Sequence, residues 1–227
     1  MIEKIFKAYD VRATYPSPLN EEMAWKVGHA TAQYLKRSRQ KHAEPKVAME
    51  DTVVIGRDMR PHSPDLAKAL SDGLRSVGMN VIDVGIVDTS FIYFAVNHLD
   101  CVGGIMTTAS HNPVQYNGFK ISGPRAKPIG AASGLDDIKR IATTLRVGQT
   151  GLHGRCEERD LWPEYKKHVR KFLSMKRKLR VVVDASNGMA GKIVPRVRLG
   201  TTCVTTSPPH SSIPKMTVLP SAGSPPR

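Results

Sequence analysis

Thr52-Val53-Val54-Ile55-Gly56-Arg57-Asp58, then Ser63-Pro64, then Asn80-Val81-Ile82-Asp83-Val84-Gly85, then Val102-Gly103-Gly104-Ile105-Met106 are the segments that decide the fold. The first is a short apolar run rich in β-branched residues, the pattern of a buried strand, and it ends in a polar pair at its carboxyl end. Ser63 as N-cap and Pro64 as first helical residue open a helix. Leu66, Ala69, Leu70, Leu74 and Val77 fall on one face at helical spacing, and Gly78 supplies the stop. The second strand follows at 80–85. A second helix starts near Thr89 and runs through Phe91-Ile92-Tyr93-Phe94-Ala95-Val96, and the third strand is 102–106. Strand, helix, strand, helix, strand with short links predicts an α/β fold, a mixed, mostly parallel sheet flanked by helices with right-handed crossovers. Ligands of such sheets meet the loops at the strands' carboxyl ends, so the chemistry is expected after the third strand. The glycines at 103 and 104 predict a close backbone approach or a bulge there.

Bulk properties narrow the class. The chain has 227 residues, 40% hydrophobic and 24% charged, an ordinary composition for a protein with a core. No stretch approaches the roughly 18–20 apolar residues of a membrane span, and Met1-Ile2-Glu3-Lys4 opens no signal-peptide core, so no membrane partner is expected. Cys101, Cys156 and Cys203 have no metal-type spacing, and reduced thiols in a cytoplasmic protein are the plain expectation. The net charge of +14 is concentrated late, in Lys166, Lys167, Arg170, Lys171, Lys176, Arg177, Lys178 and Arg180. With only Tyr165 and Phe172 nearby, this cluster lacks the aromatic interleaving of a nucleic-acid surface, and nucleic acid is not the expected partner.

Downstream, a helix is predicted over 132–145, and residues 148–157 are rich in turn formers. Residues 1–150 read as a first domain. A basic helix near 158–173 and a strand at 179–184 lead into Ala185-Ser186-Asn187-Gly188-Met189-Ala190-Gly191, a strand-to-helix turn. Residues 151–195 thus read as the incomplete start of a second α/β domain. Beyond residue 195 the hydrophobic periodicity stops, prolines recur at 208, 209, 214, 220, 225 and 226, and acids are absent. Residues 196–227 are expected to be disordered. Two readings of that tail stand, sequence out of frame or a disordered segment of the protein's own.

The strongest motif is Thr107-Thr108-Ala109-Ser110-His111-Asn112-Pro113, followed by Tyr116-Asn117-Gly118-Phe119-Lys120. It resembles the active-site loop of the α-D-phosphohexomutases, the phosphoglucomutase/phosphomannomutase family. Phe6-Lys7-Ala8-Tyr9-Asp10-Val11-Arg12, Gly56-Arg57-Asp58 and Val183-Asp184-Ala185-Ser186-Asn187-Gly188-Met189-Ala190-Gly191 support the resemblance, which covers roughly residues 1–195, about the first half of a family chain. The Phe-Lys-Ala-Tyr-Asp opening favours the phosphomannomutase/phosphoglucomutase branch. The loop also makes chemical sense by itself. A serine hydroxyl is a poor nucleophile without a base, whereas a phosphoserine is a phosphoryl donor whose charge of about −1.5 to −2 needs cations or N–H groups around it.

The resemblance implies that phosphorylated Ser110 gives its phosphate to a bound hexose phosphate, that a hexose 1,6-bisphosphate forms and reorients, and that Ser110 takes back the other phosphate. It implies Mg²⁺ on the Ser110 phosphate, with Tyr9, Arg12 and Lys120 meeting substrate, and Arg12, His111 and Lys120 near the reacting groups. Arg12 pairing with Asp10, and His111 holding the loop through backbone hydrogen bonds, stand as rival readings. Gly56-Arg57-Asp58 reads as structural, bracing the serine loop from behind.

Three departures matter. Arg12 is followed by Ala13-Thr14 where the family usually has Arg-Gly, which matters only if that turn needs positive φ. No Asp-x-Asp-x-Asp-Arg metal loop is in the chain, and Asp136-Asp137 on a helix is no substitute. The Gly-Glu-x-Ser-Gly sugar loop and the late phosphate-binding loop are absent too, so the chain alone is expected to be inactive or nearly so as a mutase. An alternative is a non-catalytic basic binding module that reuses the fold. A serine hydrolase built on Ser110 and His111 lacks a Gly-x-Ser-x-Gly elbow and a third partner.

Overall fold

The structure is a computed structural model that describes residues 2–41, 46–146, 151, 153–172, 174, 180–185, 188–197, 202–205 and 216–219. It divides into two units, Met1–Asp160 and Leu161–Arg227.

The first unit is built on a six-stranded sheet of order β1-β5-β4-β2-β3-β6. The strands are β1 (Val11–Thr14), β2 (Met49–Arg57), β3 (Asn80–Ile86), β4 (Cys101–Thr107), β5 (Tyr116–Ser122) and β6 (Cys156–Glu158). Strands β4, β2, β3 and β6 are mutually parallel, while β5 runs antiparallel to both β4 and β1. The sheet is thus mixed and mostly parallel, as the strand-helix alternation implies. The antiparallel edge β1–β5 carries a weaker sequence signal, because site residues such as Arg12, Asn117 and Lys120 interrupt its alternation.

Helices cover both faces. On one side lie α1 (Glu21–Lys41), α2 (Ser63–Arg75) and α4 (Leu135–Thr144), whose Val27, Leu35, Leu66, Leu70, Leu74, Ile138 and Ala142 share a core with Val53, Ile55, Val81, Phe119 and Ile121 of the sheet. On the other lies α3 (Thr89–Leu99), which presents Phe91, Ile92, Ala95 and Val96. Asp88 caps α3, accepting from the Phe91 N–H at 2.8 Å. The pair Gly103-Gly104 marks close approach. A side chain at 103 would meet the Ser122 carbonyl at 2.5 Å, and one at 104 would meet Val96 Cγ2 at 2.5 Å.

Local details depart from the spacing-based expectations. The cap of α2 is His62, and Ser63 is the first helical residue. Its hydroxyl is turned to a buried carboxylate instead of the helix end. The helix expected over 132–145 is a 3-10 turn (Ala131–Ser133) and then α4, parted by Gly134 at φ +125°. Cys101 and Cys156 are free thiols, and burial pushes the Cys101 thiol up to about 11, which leaves it unreactive at neutral pH. Among the described residues no helix is long and apolar enough to cross a membrane.

The second unit contains α5 (Trp162–Arg170), then β7 (Arg180–Asp184), α6 (Ala190–Val197), β8 (Thr202–Thr205) and β9 (Met216–Leu219). Strand β7 pairs with β8 in parallel and with β9 in antiparallel fashion. Lys166, Lys167 and Arg170 of the basic cluster lie on α5, near its carboxyl end, where cations complement the helix dipole. Lys176, Arg177 and Lys178, and residues 206–215 and 220–227 of the tail, lie outside the described residues.

The α1–α2 interface holds a titratable group. The Ser76 hydroxyl donates to the Gly73 carbonyl at 2.7 Å, so it accepts from His29 Nδ1 at 2.8 Å, and His29 Nε2 then accepts from the Gln33 amide at 2.8 Å. That is a neutral imidazole, and burial lowers its pKa below the ordinary 6.5. A histidine harder to protonate when folded makes the unfolded chain bind more protons in acid, so stability is full above about pH 6.5 and falls as pH drops below it. Thermal melts between pH 8 and pH 5 are expected to show a decline in Tm that is shallower in His29→Gln; identical slopes would contradict this.

Candidate active site

Strand β2 lies between β3 and β4, so the chain leaves β2 to one side for β3 and returns to the other side for β4. The loops after β2 and β4 therefore meet at the carboxyl end of the sheet, the region where ligands of such sheets bind. Into it the fold delivers Asp58-Met59-Arg60 from one strand and residues 108–116 from the other.

The two segments are joined by one buried ion pair. Asp58 is 4% exposed and Arg60 9%. Asp58 Oδ1 accepts from the Arg60 N–H at 3.1 Å and the Ser63 hydroxyl at 2.7 Å, while Oδ2 accepts from Arg60 Nε at 3.1 Å and the Thr108 hydroxyl at 2.7 Å. Arg60 spends its other donors on the serine loop. Nη1 donates to the carbonyls of Pro113 at 2.7 Å and Tyr116 at 3.0 Å, and Nη2 to those of Asn112 at 2.7 Å and Ser110 at 3.0 Å. A guanidinium has five N–H donors and a carboxylate about four acceptor positions, so both groups are filled.

Ser110 is the outcome of this arrangement. Its carbonyl is held by Arg60, and its N–H donates to Thr108 Oγ1 at 2.9 Å. Its φ is +57°, a left-handed conformation that costs a non-glycine residue about 1–2 kcal/mol. With both backbone groups turned inward, the side chain is exposed. Asn112 tightens the turn, its amide donating to the Ala109 carbonyl at 2.8 Å. Asn117 reaches the same hub from the second motif, donating to Ser63 Oγ at 2.9 Å.

His111 is exposed beside Ser110, with Nδ1 3.5 Å from Oγ, longer than a good hydrogen bond. The loop's carbonyls are held by Arg60, the task that one reading gave to His111. Arg12 and Lys120 meet around Asp10, with Arg12 Nε 3.7 Å and Lys120 Nζ 3.6 Å from its carboxylate oxygens. Pairing of Val11 with Phe119 and of Arg12 with Gly118 sets the register. Val11 and Phe119 face the core, so Arg12 and Lys120 face the opposite side of the sheet. Ala13 is an ordinary strand residue paired with Asn117, and it is not among the positive-φ residues, so the departure from Arg-Gly requires no special backbone. Tyr9 is 85% exposed on the turn before β1. Asp58 braces the loop with its side chain, whereas Arg57 contributes its carbonyl, which accepts from the Val87 N–H at 3.0 Å.

Residues 3–149 match the phosphoglucomutase/phosphomannomutase α/β/α domain I. The chain belongs to the phosphoglucomutase/phosphomannomutase family. It is 36% identical over 191 residues to a phosphomannomutase of Vibrio cholerae serotype O1, and 39% identical over 194 residues to one of Escherichia coli K12. Each alignment covers 83% of this chain and 40% of the relative, so the chain spans about two fifths of the length of these relatives. Among solved structures, a phosphoglucomutase/phosphomannomutase family protein from Burkholderia thailandensis superposes with a TM-score of 0.75 at 31% identity, covering 90% of this chain and 44% of the other. A Thermus thermophilus protein described as a phosphomannomutase relative shares the fold at TM-score 0.70 and 24% identity.

A Mg²⁺ site does not fit the family chain's described residues. No group of three His, Cys, Asp or Glu able to hold a metal is found among them. Asp58 is saturated by four donors, and Asp10 faces two cations.

Arg60 is the site residue that sequence reasoning missed. The available signal was an acid and an arginine two residues apart at a strand's carboxyl end, Asp58-Met59-Arg60. Arg60→Met leaves a buried carboxylate without its cation and takes one donor from each of five acceptors. It is expected to cost about 3–5 kcal/mol in urea unfolding. Arg60→Lys, with three donors for five acceptors, is expected to lose a smaller but measurable part. A loss under 1 kcal/mol in Arg60→Met would refute the assignment.

Proposed function

We propose that Ser110 is the phosphate carrier of a phosphohexomutase and that this chain supplies the carrier domain of that enzyme. The observation that carries the proposal is the exposed Ser110 hydroxyl on a loop whose carbonyls are tied down by one buried arginine. Phosphoryl transfer leaves the protein little covalent chemistry to do, and what it requires is positioning and charge stabilisation. A serine fixed through its backbone, on the loop that leaves the strand paired with that of Lys120, suits that requirement.

In the proposed reaction a hydroxyl oxygen of a hexose monophosphate attacks the phosphorus of phospho-Ser110. The P–Oγ bond breaks as the new P–O bond forms, and the hydroxyl proton leaves to a base, for which His111 is the candidate. The product is a hexose 1,6-bisphosphate. After it reorients, Ser110 Oγ loses its proton and attacks the other phosphorus, the P–O bond to the sugar breaks and the freed sugar oxygen takes a proton, so phosphate has moved between C1 and C6 with the serine rephosphorylated. Arg12 and Lys120 offer positive charge to the phosphate, and exposed Tyr9 offers a surface to the sugar. Family membership implies Mg²⁺ to offset charge during transfer. Its ligands, apart from the Ser110 phosphate, belong to sequence that this chain does not contain, as do the sugar-selecting and distal phosphate loops. Mannose and glucose phosphates are the favoured substrates, on the strength of the Phe6-Lys7-Ala8-Tyr9-Asp10 opening and of relatives named phosphomannomutase.

Incubation with a hexose 1,6-bisphosphate and peptide mass mapping should find one added phosphate on the peptide containing Ser110, absent in Ser110→Ala. Phosphate on another residue with Ser110 clean would sink the assignment. In a coupled assay the same purified chain is expected to convert glucose 1-phosphate no faster than Ser110→Ala. Robust turnover would show that the missing loops are dispensable.

A further inference from the structure

Asp10 is placed where a carboxylate is poorly served. It is 7% exposed, and its Oδ1 is buried with no hydrogen-bond partner among the described residues. Arg12 Nε and Lys120 Nζ approach it only to 3.7 and 3.6 Å, beyond the usual reach of an N–H···O bond. Its backbone is held in place. The Lys7 N–H donates to the Asp10 carbonyl at 2.8 Å, and Phe6 bridges Val11, which closes a tight turn at the start of β1. Buried carboxylates are ordinarily hydrogen-bonded, so this one is not explained by its own stability.

Its effect on its neighbours is plain. Arg12 and Lys120 are each about one-third exposed, and Asp10 is the partner in the ion pair recorded for each. Together the three carry a net charge of +1, two cations less one anion. Arg12 approaches Asp10 through Nε at a distance too long for a full hydrogen bond, and a guanidinium and an ammonium each carry donors for more than one acceptor. An anion binding there meets two oriented cations and, behind them, a fixed negative charge that repels it.

We propose that Asp10 is a positioning residue that draws Arg12 and Lys120 toward one point and weakens their hold on phosphate so that the phosphate can leave. The inference rests on the proposed mutase reading and deepens it. A bisphosphate that must leave the serine, turn over and present its other end is served by a site that binds phosphate loosely. Two uncompensated cations would hold it.

The test is titration of inorganic phosphate, at fixed ionic strength, into the purified chain and its variants by calorimetry. Asp10→Asn is expected to bind phosphate at least about tenfold more tightly than wild type, since one repelling charge close to the anion is removed. The gain is expected to vanish in Asp10→Asn combined with Arg12→Gln and Lys120→Gln. Asp10→Glu, which keeps the charge, should stay near the wild-type affinity. Equal or weaker binding by a folded Asp10→Asn protein, or a gain that survives loss of both cations, overturns the proposal. Should Asp10→Asn fail to fold, Asp10→Ser is read in the same way, and failure of both to fold makes Asp10 a purely structural residue and overturns it as well. Titration with inorganic phosphate does not require phosphorylation of Ser110. A Ser110 that takes no phosphate from a hexose bisphosphate would remove the mutase reading without moving these affinities.

Discussion

One buried ion pair, Asp58 with Arg60, governs the serine loop. Each partner is over nine-tenths buried, and each is saturated with hydrogen bonds. A buried pair is weak evidence for stability, since desolvation can cancel the Coulombic gain. What this pair supplies is geometry. Four carbonyls between Ser110 and Tyr116 point at one planar, rigid donor set, and a flexible ammonium with three donors has no equivalent arrangement. The left-handed conformation of Ser110 persists because the surrounding bonds over-determine it.

The sheet supplies the setting for that pair. The switch between β3 and β4 on either side of β2 brings the loops after β2 and β4 together, and the β1–β5 edge brings Arg12, Asp10 and Lys120 onto one face. The serine loop and the cationic face are thus built on neighbouring strands with fixed register, Met106 opposite Lys120 and Thr107 opposite Phe119. One cluster is hydrogen-bonded to completion and the other is loosely held. That contrast is what the proposed phosphate carrier requires, a serine that stays still and a phosphate that does not.

The parallel part of the fold was legible because buried strands are written in β-branched runs, and α2 because its apolar face has helical spacing. The serine loop was legible as a motif. Helix α1 gave little signal, since much of its buried face is Ala24, Gly28, Ala30, Thr31 and Ala32, small residues that pack closely without marking a strong apolar stripe. Strand β5 was hidden because Asn117, Gly118 and Lys120 are there for the site and break the alternation of a strand. Ser63 looked like a cap, but its hydroxyl had a better acceptor in Asp58. The role of Arg60 was invisible to spacing because its carbonyl partners lie about fifty residues away in the chain. Asp10 could be suspected as a partner of Arg12, but its unmet oxygen shows only in three dimensions.

The central claim is that the Asp58–Arg60 pair holds the serine loop rigid before any ligand arrives. Native-state hydrogen exchange at the Ser110 and Asn112 amides measures this directly. Both amides are hydrogen-bonded within an otherwise exposed loop, to Thr108 Oγ1 and the Ala109 carbonyl. They are predicted to exchange at least about a hundredfold more slowly than in a free peptide, a local opening of about 3 kcal/mol, and to lose that protection in Arg60→Lys while the β2 and β4 amides keep theirs. Exchange at the free-peptide rate in the wild-type chain, or protection unchanged in Arg60→Lys, would contradict the account.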